Sequence, residues 1–344
     1  MINIIYLIIF SSLFAYLNFL CLKYNFFIDK AKNSDHKKFV LQAKSVPITG
    51  GTYLFFGYVL GQTYIYDFSE IFYFSSILIL GYLSDIYKNF HASLRLLFQA
   101  VICFLFIMYF NLNITDVRVE YINTLLGSHT TSYIFTAFCL IVLINGSNFI
   151  DGVNLLSIGY YLTILVSLIF LSSKYSLLIN QELVIILIGL LVVLIFFNGF
   201  NKVFLGDGGI YFLSSIVAII LIKFNTENFI VSPYYIVCLL WYPCFENLFS
   251  ILRKKLTKKN PQESDNLHLH HLLYALLKSQ KSKIFRSNLT GFIILLFNFP
   301  VFIFSSYYFN FTKYLVIIIF VSIACYIFFY YFLKKILKNR VGNS

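Results

Sequence analysis

The sequence predicts an all-α polytopic membrane protein with about eleven transmembrane helices in a single integral-membrane domain, residues 1–344. Three observations favour this class of protein. Hydrophobic residues make up 60% of the chain, and charged residues only 12%. Apolar runs recur from one end of the chain to the other, and their lengths are close to the roughly 20 residues that a helix needs to cross a bilayer. Between these runs, the sequence shows no stretch typical of a separate soluble domain.

The predicted spans follow one another along the chain. The first shows neither the basic leader nor the small-residue cleavage site of a signal peptide, so it is predicted to be a retained helix. The second is short and contains Gly50, Gly51, Gly57 and Gly61. The spans are predicted at roughly 3–22, 50–66, 70–87, 94–113, 131–150, 155–173, 182–198, 208–224, 232–250, 288–307 and 312–333.

The distribution of basic residues predicts how these spans are oriented. The chain carries 26 Lys and Arg against 14 Asp and Glu, a formal net charge of +12. If the N-terminus lies outside, all of the basic residues except Arg118, Lys174, Lys223 and Lys313 fall on the inner side. Because basic residues concentrate in cytoplasmic loops, the N-terminus is predicted outside and the C-terminus inside. The positive charge therefore reflects membrane topology, and nucleic acid is excluded as a partner.

Polar segments that are unusual beside membrane spans all fall on the predicted inner side. They are SVPITGG (45–51), GYLSDIYKN (81–89), INGSNFIDGVN (144–154), NGFNKVFLGDGG (198–209) and DNLHLHH (265–271). Random placement would scatter such segments over both faces of the membrane. Their one-sided distribution predicts a single active site at the cytoplasmic mouth of the helix bundle.

The residue types in these segments indicate chemistry on phosphate groups. Asp85, Asp151 and Asp207 are carboxylates, and several asparagines accompany them. Hard oxygen ligands of this kind suit Mg²⁺, which binds through one or two carboxylates together with the phosphates of a substrate. The glycines around Asp207 would let the backbone approach a ligand closely, and a helix that begins there would direct its N-terminus toward an anion.

Each segment also has a structural interpretation when it is taken alone. Asp207 could pair with a lysine for stability, and the asparagines that end the fifth span could join neighbouring helices. His268, His270 and His271 could bind phosphate or orient a sugar, form a transition-metal site, or lie on the surface. None of these separate interpretations explains why every unusual segment falls on one side.

Four motifs, taken in order, resemble those of the polyprenyl-phosphate N-acetylhexosamine-1-phosphate transferases, bacterial enzymes that start lipid-linked cell-envelope glycans. The resemblance covers nearly the whole chain. The H-x-H-H form is similar to the branch that begins O-antigen, common-antigen and teichoic-acid chains. The matching residues are Gly81 and Asp85 of G-x-x-D-D with Arg95, Leu96 and Gln99 of R-L-x-x-Q; Asn145, Asn148, Asp151 and Gly152 of N-x-x-N-x-x-D-G; Phe204, Gly206, Asp207 and Gly209 of F-x-G-D-x-G-S; and His268, His270 and His271.

The resemblance implies transfer of an N-acetylhexosamine-1-phosphate from a UDP-sugar such as UDP-GlcNAc to a polyprenyl (undecaprenyl) phosphate, with release of UMP, in the bacterial cytoplasmic (inner) membrane. It implies Mg²⁺, with Mn²⁺ as a substitute, and it allows a homodimer. The predicted catalytic residues are Asp85 and Asp207, and the predicted metal ligands are Asp207, Asn148 and Asp151. The predicted substrate-binding residues are Asn148, Asp151, Asn154, Asn198, Lys202, His268, His270 and His271.

The chain departs from the family pattern at several positions. Ser84 stands at the first position of the family's Asp pair, Leu155 where glycine is usual, and Ile210 where the family has Ser. Because the first Asp has been proposed as a base or metal-site residue, Ser84 leaves open a catalytically impaired member that acts as a scaffold. An ion- or proton-coupled transporter is the other alternative. Acids at the membrane midplane on interrupted helices, together with inverted repeats, would favour it.

Overall fold

The structure, a computed structural model, describes residues 2–29, 46–61, 68–87, 90–258, 267–279 and 282–342. Within these ranges the chain forms thirteen α-helices, a 3-10 turn at Leu277–Ser279, and one antiparallel pairing of β1 (Ile28–Asp29) with β2 (Val46–Pro47). The predicted fold class, an all-α polytopic membrane protein, is confirmed. The helices are α1 (Ile2–Tyr24), α2 (Gly50–Gly61), α3 (Phe68–Ile86), α4 (Ala92–Phe110), α5 (Glu120–Leu126), α6 (His129–Ile150), α7 (Leu156–Tyr175), α8 (Gln181–Gly199), α9 (Gly206–Glu227), α10 (Pro233–Leu256), α11 (Leu269–Leu276), α12 (Lys283–Tyr307) and α13 (Thr312–Gly342).

Ten of the described helices are long and apolar enough to cross a membrane, as a multi-pass membrane protein requires. The other three, α2, α5 and α11, have 12, 7 and 8 residues. The sequence analysis missed α5 and α11, because helices this short contain no hydrophobic run of membrane length.

Helix α2 corresponds to the second predicted span, 50–66, of which residues 62–66 lie outside the described part of the chain. Gly50, at the start of α2, contacts the backbone of Phe204, just before α9 begins. Gly61, at its end, contacts Ile186 and Tyr6, which lie near the starts of α8 and α1. Helix α2 therefore runs along much of the bundle, between the other helices.

Helix α9 is the central helix and packs against α2, α3, α6, α7 and α10. In the segment of α9 that could span a membrane, 89% of the residues are buried, so its neighbours cover it on every side. A Cβ built on Gly81 of α3 would lie 2.4 Å from Gly208 Cα, and one on Gly51 of α2 would lie 2.6 Å from Gly209 Cα. Gly208 and Gly209 therefore let helix backbones touch, a role that the sequence analysis missed when it assigned these glycines to a ligand.

Helix α10 is held against α6 and α7 around a proline. Pro243 has no N–H to donate to the Leu239 carbonyl one turn earlier, and the Tyr160 hydroxyl of α7 donates to this carbonyl at 2.9 Å. A Cβ on Gly146 of α6 would lie 2.2 Å from the Pro243 carbonyl oxygen, so the two backbones are in contact there. These contacts fix the position of Glu246, which lies less than one turn beyond Pro243.

An apolar cavity of about 500 Å³ lies between α6, α9 and α10. Phe138 and Leu143 of α6, Leu221 of α9 and Trp241 of α10 are among its walls, and the loop before α5 also lines it. The cavity lies along the second half of α9, the first half of α10 and the middle of α6.

Candidate active site

The predicted site residues collect where α3, α6 and α8 end and α9 begins, an end of the bundle named here the site end. Asp85 belongs to the last turn of α3, Asn148 to the last turn of α6, and Asp207 to the first turn of α9. Three helix termini thus bring two carboxylates and one amide into contact.

The Asp207 carboxylate is the centre of a hydrogen-bonded cluster. Its Oδ1 accepts a hydrogen bond of 2.7 Å from the Asn148 amide. Its Oδ2 accepts one of 2.8 Å from the Ser84 hydroxyl and lies 3.6 Å from a guanidinium nitrogen of Arg95. The same Arg95 nitrogen donates to Ser84 Oγ at 2.7 Å. The side chains of Arg95 and Asp207 are 24% and 23% exposed, so a ligand at the site end can reach both.

Asp85 holds the backbone that carries Asp207. Its Oδ2 accepts a hydrogen bond of 2.8 Å from the Asp207 N–H. A carboxylate is stabilised there because the first N–H groups of a helix lack intrahelical partners and the helix dipole is positive at that end. Gly206 permits the contact, since its φ of +74° is left-handed and a Cβ at this position would lie 2.8 Å from Asp85 Oδ2.

Ser84 changes the charge balance of this cluster relative to the family pattern. Among the described residues, the cluster contains two carboxylates, Asp85 and Asp207, and one guanidinium, that of Arg95. An aspartate at position 84 would place a third carboxylate beside Asp207. The Ser84 hydroxyl instead connects the two charged side chains, because it donates to Asp207 and accepts from Arg95. The first Asp position is therefore occupied by a neutral bridging group.

Asn154 and Asn198 are buried and hold the connection between α6 and α7. Asn198 Oδ1 accepts a hydrogen bond of 2.8 Å from the Leu155 N–H, and its amide donates to the Val203 carbonyl at 3.2 Å. The Asn154 amide donates to Asn288 Oδ1 at 3.0 Å. Leu155 has a φ of +69°, which a residue with a side chain adopts at a cost, and this explains why glycine is usual in the family at this position. The predicted contact of both asparagines with substrate stays a prediction.

Asp151 and Lys202 lie in the two loops that join α6 to α7 and α8 to α9. Asp151 is half-buried at the end of α6 and accepts a hydrogen bond from the Ser157 hydroxyl. It lines a small cleft together with Phe204 of the second loop. Lys202, two residues before Phe204, is exposed. Their roles in substrate binding also stay predictions.

The three predicted histidines form a cluster of packed rings where α11 begins. The rings of His268 and His270 are parallel to within 7°, with centroids 5.7 Å apart, and the centroids of His270 and His271 are 4.1 Å apart. His268 also packs on Phe149 of α6, at 4.9 Å. His270 lies against Gly152, where a Cβ would be 2.2 Å from His270 Nε2. The last turn of α6 therefore joins this histidine cluster to the carboxylates.

Two further groups at the site end were missed by sequence reasoning. Glu246 is buried, and its Oε1 lies 2.9 Å from His268 Nδ1. Ser287 of α12 accepts a hydrogen bond of 2.9 Å from the Asn154 N–H. A carboxylate inside a predicted span signals a functional group, so Glu246 could have been found. A serine near the start of a span carries no comparable signal.

The donor set suits a hard cation that binds together with a phosphate ligand. Within the described ranges, no three Asp, Glu, His or Cys side chains form a group that could hold a metal ion. Asp85, Asp207 and Asn148 nevertheless lie together at the site end. Mg²⁺ commonly uses one or two carboxylates and completes its coordination with phosphate and water. The residues therefore fit Mg²⁺ that is bound jointly with a substrate.

Fold and site together define a multi-pass membrane protein with an acid-rich polar site at one end of its helix bundle. Residues 68–225, from the start of α3 almost to the end of α9, match the model of glycosyl transferase family 4. Over 266 residues the chain is 28% identical to the "Probable undecaprenyl-phosphate N-acetylglucosaminyl 1-phosphate transferase" of Bacillus subtilis (strain 168). The aligned region covers 73% of this chain and 72% of the relative. The resemblance that the motifs indicated is confirmed.

Proposed function

We propose that the chain transfers a sugar-1-phosphate from a UDP-sugar to a polyprenyl phosphate and releases UMP. The family and the name of the relative support a phosphosugar transferase. The observation that carries the proposal is the contact of Asp207 with Asn148, Ser84 and Arg95 at the site end. This cluster combines carboxylate and amide groups that can hold a cation with a guanidinium, the side chain best suited to phosphate.

The proposed reaction replaces one phosphorus–oxygen bond by another. An oxygen of the polyprenyl phosphate attacks the β-phosphorus of the UDP-sugar, and the bond from that phosphorus to the bridging oxygen breaks, so that UMP leaves. The products are polyprenyl-pyrophosphoryl-sugar and UMP. The attacking phosphate is already largely dianionic near neutral pH, so no general base is needed. Catalysis then consists of positioning and charge stabilisation, with Arg95 placed to bind phosphate oxygens.

The other site residues are assigned to the nucleotide and to the sugar phosphates. Asn148 and Asp151 are proposed to contact the nucleotide or the cation. Asn154 and Asn198 hold the loop on the uracil side, and Lys202 supplies an exposed positive charge for the anionic substrate. The histidine cluster is proposed to bind the phosphates of the sugar nucleotide.

The proposed cofactor is Mg²⁺, with Mn²⁺ as a substitute, held by Asp207 together with Asn148 and Asp151. A cation bound there would neutralise charge on the pyrophosphate of the UDP-sugar. We expect excess EDTA to abolish transfer and added Mg²⁺ or Mn²⁺ to restore it, because the ligands are carboxylate and amide oxygens. The measurement is the initial rate against the concentration of free metal. Full turnover in excess chelator would contradict the cofactor, and a requirement for Zn²⁺ would move the cation to the histidines.

Ser84→Ala tests the bridge between Arg95 and Asp207. The substitution removes the hydrogen bonds of Ser84 with Asp207 and Arg95. Loss of one hydrogen bond to a charged group costs about 1.5–3 kcal/mol, so we expect the transfer rate to fall at least about ten- to a hundred-fold. Asp85→Asn should lower the rate further, because it removes one of the two carboxylates. The measurement is kcat at matched protein amounts. If the rate of Ser84→Asp is several orders of magnitude above that of wild type, the wild-type protein lacks a needed catalytic group. This result would favour the alternative of a catalytically impaired member that acts as a scaffold.

The apolar cavity between α6, α9 and α10 is proposed to hold part of the polyprenyl chain. Cys139 of α6 lines it, whereas Cys325 of α13 is exposed. Cys139→Trp should raise the KM for polyprenyl phosphate about ten-fold or more, because it displaces buried apolar chain, and should leave the KM for the UDP-sugar unchanged. Cys325→Trp is the matched control. If folded Cys139→Trp protein has an unchanged KM for polyprenyl phosphate, the cavity does not bind the polyprenyl chain.

The proposed orientation places the site end in the cytoplasm of a bacterium, with the chain in the cytoplasmic (inner) membrane, the N-terminus outside and the C-terminus inside. Arg253, Lys254 and Lys255 in the last turn of α10 support it, because α10 ends at the site end. A reporter enzyme that is active only in the cytoplasm, fused to the C-terminus, tests the orientation. An inactive reporter in cells that contain the intact fusion protein would show that the C-terminus lies outside, and would reverse the proposed orientation.

The proposed sugar is an N-acetylhexosamine such as GlcNAc, and the product is proposed to start a lipid-linked cell-envelope glycan. The H-x-H-H residues and the name of the relative support both assignments. The test is UMP-dependent exchange of label between the lipid product and UDP-sugar in membranes that contain the chain. Exchange with UDP-GlcNAc supports the transferase. Uptake of substrate without exchange would indicate a transporter, and neither activity would indicate a scaffold.

A further inference from the structure

Glu246 is a fully buried carboxylate on a helix long enough to cross a membrane. Its side chain is 0% exposed, and it lies well inside α10. A charge in such a position is strongly unfavourable unless it is paired and hydrogen-bonded. The groups that surround Glu246 therefore indicate why it is present.

Three hydrogen-bond donors from two other segments reach the Glu246 carboxylate. His268 Nδ1 lies 2.9 Å from Oε1, and the Leu269 N–H donates to the same oxygen at 3.4 Å. The Tyr326 hydroxyl of α13 donates to Oε2 at 2.6 Å. The carboxylate thus joins α10 to α13 and to the first turn of α11, where the histidine motif lies.

The contact with Glu246 determines how His268 is presented. A carboxylate can only accept, so the proton of the neutral ring lies on Nδ1, and Nε2 is the opposite nitrogen of the ring. The ring cannot turn over without loss of this bond. It is packed against Phe149 on α6 and lies parallel to the ring of His270. A group that orients a ligating or binding histidine in this way commonly changes its effectiveness by about 10–100-fold.

We propose that Glu246 is a positioning residue for the transfer reaction: it fixes the tautomer and the ring plane of His268, so that Nε2 faces the phosphates of the sugar nucleotide. This inference rests on the proposed function. The Tyr326 hydroxyl donates to the other oxygen of the carboxylate and anchors Glu246 to α13.

A purely structural anchor would behave differently from a positioning residue. An anchor loses stability when any of its hydrogen bonds is removed, whether the partner is His268 or Tyr326. A positioning residue changes catalysis only through His268. The two roles are therefore separated by comparing Glu246→Gln with Tyr326→Phe, and by repeating Glu246→Gln in a His268→Gln background.

The experiment measures kcat, both KM values and thermal stability of the full chain in detergent or vesicles. Glu246→Gln is expected to lower kcat about 10–100-fold, and to have no further effect on kcat when His268→Gln is already present. Tyr326→Phe should lower stability and leave kcat within a few-fold of wild type. Additive losses in the double variant, wild-type kcat in Glu246→Gln, or parallel losses of kcat and stability in all three single variants would overturn the proposal.

Nitrogen-15 NMR of histidine-labelled protein tests the same contact without turnover. The His268 resonances, identified by their loss in His268→Gln, should show the proton on Nδ1 in the wild type and a mixture of tautomers in Glu246→Gln. An unchanged tautomer in Glu246→Gln would overturn the inference even if the transferase is active. An inactive wild type with the expected tautomer change would overturn the proposed function and leave the orienting contact established.

Discussion

Asp207→Asn is expected to abolish transfer while the protein still inserts into membranes and purifies normally. The asparagine amide keeps the shape of the side chain and can still accept a hydrogen bond from Ser84 or Asn148. The substitution removes the negative charge that faces Arg95. Electrostatic groups of this kind contribute about a hundred-fold or more to a reaction, so the residual rate should lie below about a hundredth of wild type. The measurement is the rate of lipid product formation at saturating substrates.

The matched control for this variant is Glu227→Gln, at the opposite end of the same helix. Glu227 is the last residue of α9 and is exposed. It undergoes the same change of charge without any contact with the site, so its rate should equal that of wild type. If Asp207→Asn retains more than about a hundredth of the wild-type rate, Asp207 does not have the electrostatic role assigned to it.

Gly81→Ala is expected to reduce both stability and activity. A Cβ at this position would lie 2.4 Å from Gly208 Cα and 2.6 Å from the Asp207 carbonyl carbon, and these are backbone atoms that no rotamer change can move. Overpacking of this kind costs about 1–3 kcal/mol of stability. A shift of about 1 Å in the first turn of α9 would also misplace Asp207 and lower kcat about a hundred-fold. Thermal unfolding and kcat are the measurements.

Gly199→Ala is the control for this steric argument. Gly199 ends α8 at the same end of the bundle. The atom nearest to a Cβ at this position would be Leu155 Cδ2 at 3.4 Å, which is an ordinary contact distance. The same methyl group should therefore be tolerated at position 199. Equal stability and kcat in Gly81→Ala and wild type would show that α3 and α9 are not packed as closely as described.

Most of the membrane-spanning helices could be predicted from the sequence, because each carries a hydrophobic run of membrane length. The predicted run 131–150, for example, corresponds to α6 (His129–Ile150). Helix α5 could not be predicted in this way, since its 7 residues depend on packing against α6. The role of Gly208 was also missed, because a contact between two helix backbones depends on which helices are neighbours.

That the predicted site residues lie close together could be expected from the one-sided distribution of polar segments, although their contacts with one another could not. The sequence placed Asp85, Asn148 and Asp207 on one face of the membrane, and the structure brings them into contact. The bridge from Arg95 through Ser84 to Asp207 depends on the relative rotation of α3, α4 and α9, which no sequence pattern specifies. Glu246 carried a usable signal, a carboxylate within a span, but its partner His268 is distant in sequence.

Transfer from UDP-GlcNAc labelled with phosphorus-32 at the β-phosphate tests the central claim most directly. Purified protein in vesicles with polyprenyl phosphate is expected to place the label in the lipid product and to release one UMP for each lipid formed, because the β-phosphorus is the atom attacked. Asp207→Asn should form no labelled lipid above about a hundredth of that amount. Release of labelled UDP, with an unlabelled sugar on the lipid, would show transfer of the sugar alone and contradict the account.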